Sequence, residues 1–123
     1  MNKTSAALIM SAMLFPTMVM AQSISAIVPV LTGAYAPVDG GCDAAAAAFI
    51  YIEDKGIAAN KTTGTVTSAK HEGNSYVLDV LWIEAGADQA DGDRDTVRIE
   101  VKDDRSFYFS NSAFERTLMR WCS

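Results

Sequence analysis

The stretch from Ser75 to Glu84 sets the pattern of the chain. Tyr76, Leu78, Val80 and Trp82 recur at period two on one face, while Val77, Leu81 and Ile83 join Asp79 on the other. That spacing predicts a strand, and apolar residues on both faces place it centrally or under partial cover. Thr96 to Lys102 alternates more strictly, with Val97, Ile99 and Val101 inward and Thr96, Arg98, Glu100 and Lys102 outward, as in a strand with one wet face. Ser106 to Ser110 directs Phe107 and Phe109 inward. Thr62 to Lys70, rich in Thr and Val, and the β-branched and aromatic run Phe49 to Ile52 read as further strands, with Pro29 to Tyr35 as the first. Turn residues separate them at Pro37 to Gly41, Asp54-Lys55-Gly56, Glu72-Gly73-Asn74, Asp103-Asp104-Arg105 and Asn111-Ser112.

Two segments read either way. Ala44 to Ala48 has high helix propensity, and Asp43 is placed to cap it, but so short a run cannot nucleate alone. It reads as one helical turn or the entry to a strand. In residues 112–122, Ser112 and Glu115 fit a helix capping box, and Phe114, Leu118, Trp121 and Cys122 fit helical spacing. As a strand, the same segment puts Glu115, Thr117, Met119 and Trp121 on one face, and the close spacing of the preceding elements favours this. Gln22 to Val28 reads as a loose leader. Strands about ten residues apart with turns between them predict an all-β fold, with room for one short helix. The expected architecture is a small antiparallel meander or barrel closed by one disulfide.

The N-terminus changes the picture of where this domain works. Lys3 is followed by an apolar run from Ala6 to Phe15, then by Pro16 and by Val19-Met20-Ala21, which offers small residues at the positions a signal peptidase reads. These features predict a signal peptide over 1–21 and a single exported β domain over 22–123, in the periplasm or outside the cell. The apolar run is too short and interrupted to span a membrane, so no span remains after cleavage. Gln22 takes the place a lipid-bearing Cys would occupy. Cys42 and Cys122 are the only cysteines, and an even count in an exported chain predicts one bond across 80 positions. A loop that long implies about 4 kcal/mol of stabilisation through the unfolded state.

Charge narrows the partners. The chain carries 15 acidic and 10 basic side chains, and loss of Lys3 makes the exported part more acidic still. Such a surface repels phosphate backbones, which excludes nucleic acid, and favours a basic protein. The candidate binding loop is Asp88, Asp91, Asp93 and Asp95, within an acidic loop read over Ala85 to Asp95. It fails the EF-hand register. Counted from Asp91, Thr96 holds the place of the turn glycine and Lys102 that of the final glutamate, so no metal is expected. His71, the only histidine, sits beside a turn, and no Gly-x-Ser-x-Gly accompanies it, so no catalytic residue and no cofactor is expected. Fifteen acids give chance carboxylate pairs but no distinguishing spacing, and Asn60-Lys61-Thr62 matches a glycosylation acceptor that a bacterial chain would leave inert. Tyr35, Tyr76, Trp82 and Trp121 are candidate cavity-lining residues, against the simpler role of core filler.

Leu31-Thr32-Gly33-Ala34-Tyr35, then Cys42, a meander and a terminal Arg120-Trp121-Cys122 resemble small exported proteobacterial β-meander proteins of uncharacterised function. Gly33-x-Tyr35 also resembles the Gly-x-Trp entry of calycin barrels, the lipocalin-type group, with Tyr in place of Trp. That resemblance implies a barrel in which Arg120, from the last strand, packs on the Tyr35 ring. The function expected from all of this is a non-enzymatic periplasmic or secreted binding module, an inhibitor of a basic protein such as host lysozyme. The alternatives are a small-ligand carrier with an aromatic-lined barrel cavity, or a cell-envelope structural protein. Oligomeric state is left open.

Overall fold

A computed structural model describes residues 23–45 and 48–123. The expected signal peptide and Ala46-Ala47 of the alanine run lie outside them. Eight antiparallel strands follow one another round a closed barrel: β1 (Gly33–Pro37), β2 (Ile50–Ile52), β3 (Gly56–Ala59), β4 (Thr62–Glu72), β5 (Ser75–Glu84), β6 (Asp93–Asp103), β7 (Ser106–Ser110) and β8 (Thr117–Trp121). Closure is made by β8 pairing with β1, with Tyr35 opposite Trp121 and Pro37 opposite Met119. The all-β expectation holds, and residues 117–121 are a strand.

Short turns explain the up-and-down order. Gly73-Asn74 joins β4 to β5, with Gly73 in the left-handed region at φ 64° that such a hairpin requires. Asn60-Lys61 joins β3 to β4 and Asp104-Arg105 joins β6 to β7. The turns at 53–55, 73–74 and 104–105 mark the lower end of the barrel, and the connections at 60–61, 85–92 and 111–116 mark the upper end.

An eight-stranded barrel is just wide enough for side chains to fill, and here they fill it. Tyr35, Ile52, Ile57, Leu78, Val80, Val97, Ile99, Phe107, Phe109 and Met119 are buried together. Tyr35 lies 4.6 Å from Phe107 between ring centroids and donates its hydroxyl hydrogen to the Leu31 carbonyl at 2.7 Å. Burial, reinforced by the nearby charges of Asp104 and Asp103, pushes the Tyr35 phenol up. The outer face of β5 is half covered. Val77 stands between Lys70 and Arg98, and Leu81 between Thr65 and Arg94, whose long stems can shield an aliphatic neighbour. This accounts for the two-faced apolar pattern without a second layer.

Four sequence expectations are corrected. The first strand begins at Gly33, not Pro29. Residues 23–28 are not a loose leader but join residues 29–32 in a plug at the lower end, with Val28 and Val30 in the core. Backbone hydrogen bonds tie the plug to two lower turns, from Ala26 N–H to Asp54 O and from Leu31 N–H to Asp104 O, each 2.8 Å. Strand β3 carries no sequence signal of its own, because Gly56–Ala59 holds a single β-branched residue. Asp93 to Asp95 belong to β6, paired with Trp82, Leu81 and Val80, so the acidic loop is shorter than expected. Finally, Arg120 does not pack on Tyr35. Alternation along β8 turns Met119 and Trp121 inward and leaves Arg120 exposed opposite Ala36 and Ser106. Arg105 lies over Trp121 instead, 5.4 Å from the ring centroid.

The disulfide is present as expected. Cys42, in a 3-10 turn at Gly41–Asp43 within the β1–β2 connection, is bonded to Cys122 just beyond β8, with Cα atoms 5.7 Å apart. No helix among the described residues is long and apolar enough to cross a membrane.

Candidate functional site

The plug closes the lower end, and among the described residues the upper end is the open one. Its floor follows from period-two alternation. Ile50 and Phe109 are the last inward residues of β2 and β7, Met119 is the inward residue of β8 just below Thr117, and they meet the half-buried Ala59 of β3. Above them lies an apolar notch of about 150 Å³ lined by these residues together with Pro37, Phe49, Phe114 and Thr117. A wider depression of about 330 Å³ shares Ile50, Ala59, Phe109 and Phe114 with the notch and adds Trp82, Glu84, Asp93 and Asp95. Together they form a funnel with an apolar bottom, an aromatic lip and a charged rim. Phe114 is 62% exposed, the most exposed of the large apolar side chains among the described residues.

Asp95 holds the lip in place. Alternation with Val97 and Ile99 turns its carboxylate inward, opposite the buried Val80. The β6–β7 ladder ends at the Arg98–Ser110 pair, and above that point Asp95 bridges the gap with its side chain. Its Oδ2 accepts from Trp82 Nε1–H and from the Asn111 amide, each at 3.0 Å. Its Oδ1 accepts from the Thr96 backbone N–H at 2.9 Å and the Ser112 backbone N–H at 3.3 Å. Asn111 then accepts from the Ala113 and Phe114 N–H groups at 3.0 and 2.8 Å, which fixes the turn that presents Phe114. Partial burial works against ionisation of Asp95. Hydrogen bonds from Trp82, Ser112 and Thr96 outweigh it and hold the carboxyl below its ordinary value. With four donors on a group that offers about four lone-pair sites, Asp95 has no acceptor capacity left for a ligand.

The four aspartates of the candidate binding loop are therefore divided. Asp88 precedes and Asp91 ends a 3-10 turn at Gln89–Asp91, and both are exposed, as is Asp93 at the start of β6. Asp95 is a structural bridge. The four candidate cavity-lining aromatics are also separated. Only Trp82 reaches the funnel. Tyr35 is core. Tyr76 packs against the core near the lower end, stacked on His71 at 4.3 Å. Trp121 closes the lower end, donating from Nε1 to Thr32 O at 3.1 Å. Sequence reading missed Asn111, Ser112, Phe49 and Phe114 as site residues. An exposed Phe in a polar turn was the one signal for them.

The rim is acidic. Asp39, Glu84, Asp88, Asp91, Asp93 and Glu115 are exposed on the upper connections and strand ends, against Lys61, Arg94 and Arg116. Arg116 is engaged on the barrel wall, 2.7 Å from Glu100 and 3.6 Å over the Tyr108 ring. The lower end is mixed, with Lys55, Lys70, Lys102, Arg105 and Arg120 near Glu53, Asp54, Glu72, Asp103 and Asp104. Among the described residues, no three His, Cys, Asp or Glu side chains gather as a metal site would need. Comparison with protein families, with curated proteins and with solved structures finds no match to this chain.

Proposed function

We propose that this chain is an exported, non-enzymatic binding module that takes a basic protein at the upper end of its barrel, as an inhibitor of host lysozyme would. The observation that carries the reading is the division of the molecule. The interior is filled and the lower end plugged, while exposed carboxylates outnumber cations on the one end that opens. Charge concentrated at one end of a rigid scaffold steers a cationic partner into the right orientation. The disulfide supports a site of action outside the cytoplasm, where such bonds persist. A small-ligand carrier would need the interior that Tyr35, Phe107 and their neighbours occupy.

The test is capture of lysozyme by the immobilised protein across a salt series. Binding at low ionic strength that falls as salt rises is expected. The triple substitution Asp88→Asn, Asp91→Asn, Asp93→Asn should slow association and flatten the salt dependence while leaving the fold intact. Absence of lysozyme binding at low salt removes the inhibitor reading. Equal binding by the triple variant moves the contact surface away from this rim.

A further inference from the structure

The funnel points to how such a partner would be recognised, and the inference rests on the reading of the molecule as a binder of basic proteins. We infer that the notch beneath Phe114 takes one bulky apolar side chain of a partner segment, with lysine or arginine on either side of it engaging the rim.

The size of the notch supports a single side chain. Its volume of about 150 Å³ matches that of a protein cavity able to admit a benzene-sized group. Its walls are apolar, from Ile50, Ala59, Phe109 and Met119, so a charged group pushed to the bottom would be desolvated without a partner. An aliphatic or aromatic side chain loses nothing there. The lip is pre-set. Asn111 and Asp95 hold the Phe114 turn through the hydrogen bonds already described, so docking requires little ordering of the site. Exposed aromatics beside a pocket are the residues that dominate binding energy, and a charged ring around them suits the rim of an interface.

Charge decides the flanking residues. Glu84 and Asp93 border the wider part of the funnel, with Asp88 and Asp91 on the adjoining connection. Among the described residues, Arg94 is the only cation lining that part. A partner with acidic flanks would be repelled. A second copy of this chain would bring the same acidic rim against itself, so self-association through this face is disfavoured.

The test uses the whole exported domain and an amidated hexapeptide in which two central leucines are flanked by lysines. One control replaces the leucines by serine and another replaces the lysines by glutamate. Chemical shifts of Ile50, Ala59, Phe114 and Met119 are followed by NMR. The leucine–lysine peptide should shift these four residues, and each control should bind at least tenfold more weakly at the notch. Phe114→Ala should lose the response with its fold retained, since the side chain is largely exposed. No shift at the notch, equal response to either control, or an unchanged Phe114→Ala variant overturns the inference, as does a Phe114-dependent dimer in the free protein. A protein that captures lysozyme yet ignores the peptide keeps the binding reading and loses this one. A notch that answers the peptide in a protein blind to lysozyme does the reverse.

Discussion

Asp95 is the residue on which the open end depends, and its chemistry gives a signed prediction. Replacing it by Ala leaves the Trp82 and Asn111 donors without their shared acceptor. The loss of a partially buried, charge-assisted network is expected to cost about 1–3 kcal/mol in urea unfolding at neutral pH. Asp95→Asn should lose less, because its amide oxygen still accepts. The carboxyl is held below its ordinary value in the fold. Its contribution is therefore complete above the unfolded value, about 3.9, and disappears as pH falls through the folded value. The stability gap between wild type and Asp95→Asn should accordingly close in acid. A gap that persists unchanged below that window would show that packing, not ionisation, sets the effect. Asp103 is lowered in the same sense, chiefly by the Arg105 backbone N–H and the Ser106 hydroxyl, but from an exposed position.

At the scale of elements, what the sequence makes legible follows burial and strand length. Strands β5 and β7 run where the alternation placed them, because their inward residues form the core and leave little freedom of register. Strand β8 could be separated from a helix only by its neighbours, and β7 supplies the decision through the Phe107–Met119 and Phe109–Thr117 pairs. The acidic start of β6 does not read as a strand. Pairing to Trp82 and Leu81 imposes it, and only that pairing brings Asp95 to Asn111. The site is hidden for the same reason, since Trp82, Asp95 and Asn111 belong to three different elements. Glycine carries another element-level constraint. A side chain at Gly64 in β4 would place Cβ 2.8 Å from both Ile57 Cγ2 and Val80 Cγ1, inside the core where β3 and β5 close on β4. Gly64→Ala is expected to cost about 1–3 kcal/mol by overpacking, read as a lowered thermal midpoint. A variant as stable as wild type would mean that β3 yields more easily than the contacts imply. Gly33, the entry residue of the calycin resemblance, has its own reason. Its φ of 136° suits glycine, and a Cβ there would meet the Ser123 carbonyl oxygen at 2.2 Å and Trp121 Nε1 at 2.8 Å.

At the scale of the whole molecule, the seam between β1 and β8 decides whether the barrel is closed. It joins the first and last strands, so its ladder has the largest loop to hold together. The Cys42–Cys122 bond fastens the β1–β2 connection to the end of β8 at that seam. Beside it, the Ala34 N–H donates to Ser123 O, and the Cys122 N–H returns to Ala34 O, each at 2.7 Å. Removing the bond by Cys122→Ser, together with Cys42→Ser to avoid a free thiol, is expected to cost about 2–5 kcal/mol of global stability. The location of the loss is the sharper demand. Strands β4, β5 and β6 are long and pair through extended ladders that the bond does not touch. In the double variant, native-state hydrogen exchange should therefore rise first at the amides of Ala34 and of residue 122, whose hydrogen bonds cross the seam, while Leu78, Val80 and Val97 keep exchange rates set by global unfolding. Acceleration by one common factor in every strand would mean that the barrel opens only as a unit, and that the disulfide acts on the unfolded chain alone. A seam-specific rise would place the weakest line of the barrel at β1–β8, opposite in the strand order to the β4–β5 hairpin, and would make the bond the element that keeps the eight strands a closed ring.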